Sequence, residues 1–102
     1  MTRKIKNPVV VTLSKTLANK LVDVLLAAGE DRLATLVGDE VEGQATGWVT
    51  LELARKDGLA IQREALNDIQ MGGVKLTART HDQIEQAFFA AWAARLRRSV
   101  GE

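Results

Sequence analysis

An apolar stripe at helical spacing runs through the last quarter of the chain. Ile84, Ala87, Phe88, Ala91, Trp92 and Leu96 recur every three or four residues, and Phe89 and Ala93 widen the stripe. Such a pattern predicts a long helix with one broad apolar face, packed on its own core or shared with a second copy. Thr80-His81-Asp82-Gln83 reads as its capping box, with the hydroxyl taking one free backbone N–H and Gln83 reaching back to another. Arg95, Arg97 and Arg98 follow where the helix dipole is negative. The sequence therefore predicts a helix of at least four turns from Thr80 to Arg97. A stripe this wide serves core packing, and its three large aromatics, Phe88, Phe89 and Trp92, are the candidate interface of a homodimer.

The N-terminal half has its own punctuation. Val9, Val10, Val11 and Leu13 form a β-branched run after Pro8, which predicts a strand. Ser14 is placed to cap a helix from Lys15 to about Ala28, with Leu17, Leu21, Val24, Leu25 and Ala28 inward and Gly29 as its terminator. A second helix is expected from Glu30 to Val37, with Leu33, Leu36 and Val37 inward. Gly38 to Gly47 holds three glycines and three acids without helical period, and is expected to be a flexible loop between halves of a single domain spanning residues 1–102. The fold class is thus helix-rich α+β.

The middle supports two readings. Trp48 to Leu53 alternates apolar and polar, as a strand would, and Asp57-Gly58 is a hairpin dipeptide. A two-residue turn there would set Leu53 opposite Gln62, against the register rule, whereas a longer loop would pair Leu53 with Ile61. In the helical reading Leu53-Ala54 begins one helix, Gly58 makes a tight turn, and a second helix runs from about Gln62 to Met71. Ala65, Leu66 and Ile69 then face inward, while Arg63, Asn67 and Gln70 form an outward stripe. Arginine can pair with guanine, and asparagine and glutamine with adenine. Lys75 and Arg79 follow Gly72-Gly73 where phosphates would be met.

The stretch "LARKDGL … QREALNDIQMGG … ARTHDQIEQAF" resembles the compact helix-turn-helix repressors of phages and bacteria. Leu53, Ala54, Gly58, Arg63, Leu66, Ile69, Gly72, Ile84, Ala87 and Phe88 fill places of that pattern. The span from Gly58 to Leu66 is longer than in the family, Gln62 replaces the usual small hydroxyl residue, and Glu64 and Asp68 add acids beside the outward stripe. The resemblance implies a cytoplasmic, homodimeric transcriptional regulator contacting double-stranded DNA through Gln62, Arg63 and Asn67. A rival resemblance covers residues 9–37, where "VVVTLSKTLANKLVDVLLAAGEDRLATLV" looks like ribbon-helix-helix repressors, whose strands pair between two chains.

Charge and composition bound the alternatives. The net charge is +1, with five basic residues and no acid from Met1 to Lys20, and seven acids against Arg32 alone from Leu21 to Glu52. A basic patch would have to come from folding the two basic ends together. The acids, Glu64 and Asp68 among them, instead suggest a protein–protein interaction module, such as a small phage-type inhibitor or assembly factor. The chain has no cysteine and one histidine, His81, so no metal or cofactor is expected. Neither Ser14 nor Ser99 sits in a nucleophile motif, and Gly72-Gly73 with Lys75 is not a phosphate loop, so catalysis is not expected. No segment is long enough to span a membrane.

Overall fold

The computed structural model describes residues 7–44, 47–73 and 75–100. The order is β1 (Val9–Ser14), α1 (Lys15–Ala27), α2 (Asp31–Gly43), β2 (Trp48–Leu53), α3 (Arg55–Gln70) and α4 (Ala78–Val100). This is a helix-rich α+β fold with a two-stranded antiparallel sheet.

The strands follow from alternation. Val9, Val11 and Leu13 of β1 are buried opposite Leu53, Leu51 and Val49 of β2, so one sheet face is wholly apolar. Thr12, Thr50 and Glu52 face solvent. A lone two-stranded ribbon is marginal in water; here its apolar face joins one core with α1, α2, α3 and α4. The outer edge of β2 is covered by a side chain. Gln44 Nε2 donates to Thr50 O at 3.0 Å, and Gln44 Oε1 accepts from Thr50 N at 2.9 Å. The carboxamide thus stands in for one residue of a third strand.

Ser14 ends β1 and caps α1, its Oγ accepting from Leu17 N at 3.2 Å. Gly29, at φ +78°, lets Glu30 N reach back to Leu25 O at 2.9 Å, closing α1 as expected. The helix α2 runs further than the sequence predicts. Gly38 to Gly43 is its second half rather than a loop. Leu33, Val37 and half-buried Val41 form one inward row at i, i+4 and i+8, while Asp39, Glu40 and Glu42 take the solvent side. Burying that row outweighs the helix penalty of Gly38, about 1 kcal/mol. The connection to β2 shrinks to the few residues after Gly43, of which 45 and 46 lie outside the described residues.

Residues 48–53 form the strand of the strand reading, but its partner is β1, not the segment at Ile61. No turn occurs at Asp57-Gly58 in either form: α3 is continuous from Arg55 to Gln70. Ala54 is extended, Gly58 N donates to Ala54 O at 3.0 Å, and the helix proceeds through the glycine. Ile61 and Ala65 are buried, Leu66 is exposed rather than inward, and Ile69 is half-buried. After α3, Gly72 and Gly73 both take positive φ. The Asp68 carboxylate then receives Lys75 N at 3.0 and 3.1 Å and Leu76 N at 2.8 Å, seating Leu76 in the core.

The helix α4 starts earlier than predicted. Thr77, not Thr80, occupies the cap, its Oγ1 accepting from Thr80 N at 3.2 Å. Thr80 and Gln83 lie inside the helix, so the expected capping box does not form and the single Thr77 cap stands in its place. Ile84, Phe88 and Ala91 are buried as the stripe requires. Among the described residues no helix is long and apolar enough to cross a membrane.

Candidate nucleic-acid interface

Once α3 is a single helix, its sequence sorts cleanly by face. Gly58, Ile61 and Ala65 point into the protein. Arg55, Lys56, Leu59, Arg63, Asn67 and Gln70 are exposed and recur at three- and four-residue spacing. At about 1.5 Å per residue, this outward face is roughly 22 Å long.

The carboxylates of α3 border that face, and each is engaged within the protein. Asp57 is only 14% exposed and is gripped by Arg32 of α2, whose two terminal nitrogens lie 2.6 and 3.4 Å from its oxygens. The Asp57 hydrogen bond, then its charge, raises the Arg32 pKa above the ordinary guanidinium value. Glu64 is also 14% exposed, with its Oε1 3.5 Å from Arg63 Nε. Asp68 is occupied by the loop before α4. Arg55 and Lys56 have no carboxylate partner among the described residues, and they begin a helix whose cap residue, Ala54, supplies no side-chain hydrogen bond. Between Arg32 on one side and Arg55, Lys56 and Arg63 on the other lies an open groove of about 560 Å³. Its lining holds these four cations against two acids, Glu30 and Asp57.

The residues singled out in the sequence divide. Arg63, Asn67 and Gln70 share the outward face of α3. Gln62 does not: it is half-buried, and its Oε1 accepts from the indole Nε1 of Trp92, so it packs α3 on α4 and is turned from any ligand on that face. Lys75 and Arg79 are exposed, one in the loop after α3 and one in the first turn of α4. Sequence reasoning missed Arg32, Arg55 and Lys56. Arg55 and Lys56 lie eight and seven residues before Arg63, the spacing of one helix face, but that signal exists only if no turn interrupts at Gly58.

The expected dimer residues divide as well. Phe88 is fully buried in its own chain and is a core residue, and Trp92 is half-buried against α3. Phe89 is 66% exposed. Arg95 Nε donates to Asn7 O at 3.0 Å, and Arg98 donates to Pro8 O, so two of the terminal arginines fasten α4 to the start of β1. The basic residues Arg3, Lys4 and Lys6 of the proposed joint patch lie outside the described residues.

The strand–helix–glycine–helix order of residues 9–37 is present, yet β1 pairs with β2 of the same chain rather than with a second copy. His81 is half-buried, with Nε2 lacking a hydrogen bond among the described residues and lying 3.8 Å from Glu85 Oε1. No cluster of three metal-ligating side chains occurs among the described residues. Compared with known proteins, the chain matches no family model, no curated protein and no solved structure.

Proposed function

We propose that this chain is a small DNA-binding regulator acting as a homodimer, and that the outward face of α3 is its contact surface. The observation that carries this is the sorting of α3: three cations and two amides face out beside Leu59 and Leu66, and each carboxylate is engaged within the protein. A helix with its side chains is about 10–12 Å across and fits a major groove of roughly 12 Å. Arg63, Asn67 and Gln70 have the chemistry to read base edges, while Arg32, Arg55 and Lys56 suit phosphates. The acids that argued against phosphate contact, Glu64 and Asp68, lie beside Asn67 and Gln70 but are engaged within the protein, Glu64 with Arg63 and Asp68 with the loop before α4. Glu64 and Asp68 thus give little support to an acidic protein-docking module, whose motives are the near-neutral net charge, the exposed acids Asp39, Glu40 and Glu42 of α2, and exposed Leu59 and Leu66.

Fluorescence anisotropy against a randomised duplex pool, followed by the enriched sequence at several salt concentrations, tests the reading. Affinity should fall with salt at a slope of about −0.9 per neutralised phosphate. Arg55→Ala with Lys56→Ala should flatten that slope by about two and weaken all sequences alike, whereas Arg63→Ala should relax preference at one position. No enrichment and no salt-dependent binding sinks the proposal. A stoichiometric protein partner captured without nucleic acid would favour the interaction module instead.

A further inference from the structure

The exposed side of α4 carries a second pattern, independent of α3. Asp82, Gln86, Phe89, Ala93 and Leu96 follow one another at intervals of four, three, four and three residues, and all are exposed. The spacing puts all five on one face, and Phe89, Ala93 and Leu96 make its second half apolar, as the contact face of a helix pair is. Phe89 and Leu96 are 66% and 65% exposed. Ala90 and Ala93 flank them with side chains small enough for two helix axes to approach to about 8 Å. Asp82 begins the stripe and Arg97 follows its last residue; these opposite charges are exposed, and neither has an ion pair among the described residues. Arg97 remains outward because Arg95 and Arg98 are fastened to Asn7 and Pro8.

We infer that α4 pairs with α4 of a second copy of this chain, antiparallel, across a twofold axis between Phe89 and Ala90. Asp82 and Arg97 are equidistant from that point. An antiparallel pair therefore sets Asp82 of each copy against Arg97 of the other, Gln86 against Ala93, and Phe89 against Ala90. A parallel pair would oppose Asp82 to Asp82 and Arg97 to Arg97, and like charges reject it. The face is self-complementary in charge when two copies run antiparallel, which is why a second copy in that direction is the occupant inferred. A single helix face per chain is a small contact beside the roughly 1,200–2,000 Å² of a standard interface, and dissociation in the micromolar range is the expected outcome. The pairing deepens the homodimer part of the proposed function but needs nothing from its DNA part, so loss of DNA binding and loss of self-association are separate outcomes.

The cysteine-free chain makes the test direct. Oxidation of Ala90→Cys should give a covalent dimer, because the two sulfurs sit beside the axis within the roughly 7 Å Cα separation a disulfide tolerates. Ala93→Cys alone should not, its copies being about 10 Å apart along the axis at 1.5 Å per residue. A mixture of Gln86→Cys and Ala93→Cys should yield the mixed dimer. Asp82→Arg and Arg97→Asp should each weaken association about tenfold, and the two together in one chain should restore it. Light scattering that reports only monomer up to high micromolar concentration overturns the proposal. So does Ala93→Cys linking to itself as fast as Ala90→Cys, or charge reversals that leave association unchanged.

Discussion

Gly58 of α3 lies against the indole of Trp92 in α4: a Cβ built on the glycine would sit 3.4 Å from Trp92 Cζ2 and 3.8 Å from Val9 Cγ2. A residue that reads in sequence as a turn is in fact a contact surface between two helices and a strand. The same indole donates to Gln62 one turn further along α3, so one aromatic fixes how α3 meets α4.

That contact separates the helical Gly58 from a turn Gly58. A methyl group at 3.4 Å is at the near edge of ordinary contact. Gly58→Ala should therefore be tolerated, with helix propensity adding up to about 1 kcal/mol of stability. Gly58→Leu should push the indole out and cost about 1–3 kcal/mol through overpacking. Urea unfolding with tryptophan fluorescence reads both. An alanine variant that loses more than about 1 kcal/mol would indicate a positive-φ glycine and contradict the continuous helix.

Trp92 and Phe89 should behave oppositely. Trp92 is half-buried and hydrogen-bonded within its own chain, so Trp92→Ala should cost about 2–3 kcal/mol and lower the melting temperature by ten degrees or so. Phe89 projects outward, so Phe89→Ala should change monomer stability by no more than about 0.5 kcal/mol while lowering self-association. Calorimetry and sedimentation at matched concentrations distinguish the two. A dimer weakened by Trp92→Ala but not by Phe89→Ala would place the interface elsewhere.

Much of the fold was legible because it rests on local signals. The β-branched run after Pro8, the Ser14 cap, the Gly29 terminator and the alternation in residues 48–53 each appear where the residues put them. What escaped was non-local. The pairing of β1 with β2 spans two helices, and nothing in residues 48–62 announces it. Glycine misled twice, at Gly38 and Gly58, because tertiary packing overrode a propensity penalty of about 1 kcal/mol. The candidate site suffered accordingly: Arg63, Asn67 and Gln70 were placed on one face, but Arg55 and Lys56 joined them only once the turn vanished.

Gln44 protects the edge of β2 by binding both backbone groups of Thr50. Gln44→Ala should cost about 1 kcal/mol, small because water can reach the freed groups. Its larger effect should be on solubility, since an unpaired strand edge templates association. Turbidity during slow heating should rise earlier in the variant than its melting shift explains. Equal turbidity at equal fraction unfolded would show that Gln44 does not guard the edge.

Asp68 decides between a surface acid and a structural one. Its carboxylate holds Lys75 N and Leu76 N, and its backbone carbonyl accepts from Gly73 N at 2.9 Å, so the whole turn into α4 is organised on one residue. The turn is tight: Gly73 is at φ +70°, and a Cβ there would meet Leu76 O at 2.6 Å. Removing the carboxylate leaves a partly buried Leu76 N–H without its charged acceptor and frees the segment that seats Leu76 in the core. Asp68→Ala should therefore cost about 1–2 kcal/mol, and Asp68→Asn less, because its side-chain oxygen still accepts. Neither should strengthen duplex binding by α3, since the carboxylate is already occupied within the protein. Were Asp68 instead a free acid on the contact face, Asp68→Ala would leave stability within about 0.5 kcal/mol and tighten DNA binding at low salt. Unfolding curves and anisotropy on the same variant settle which role it has.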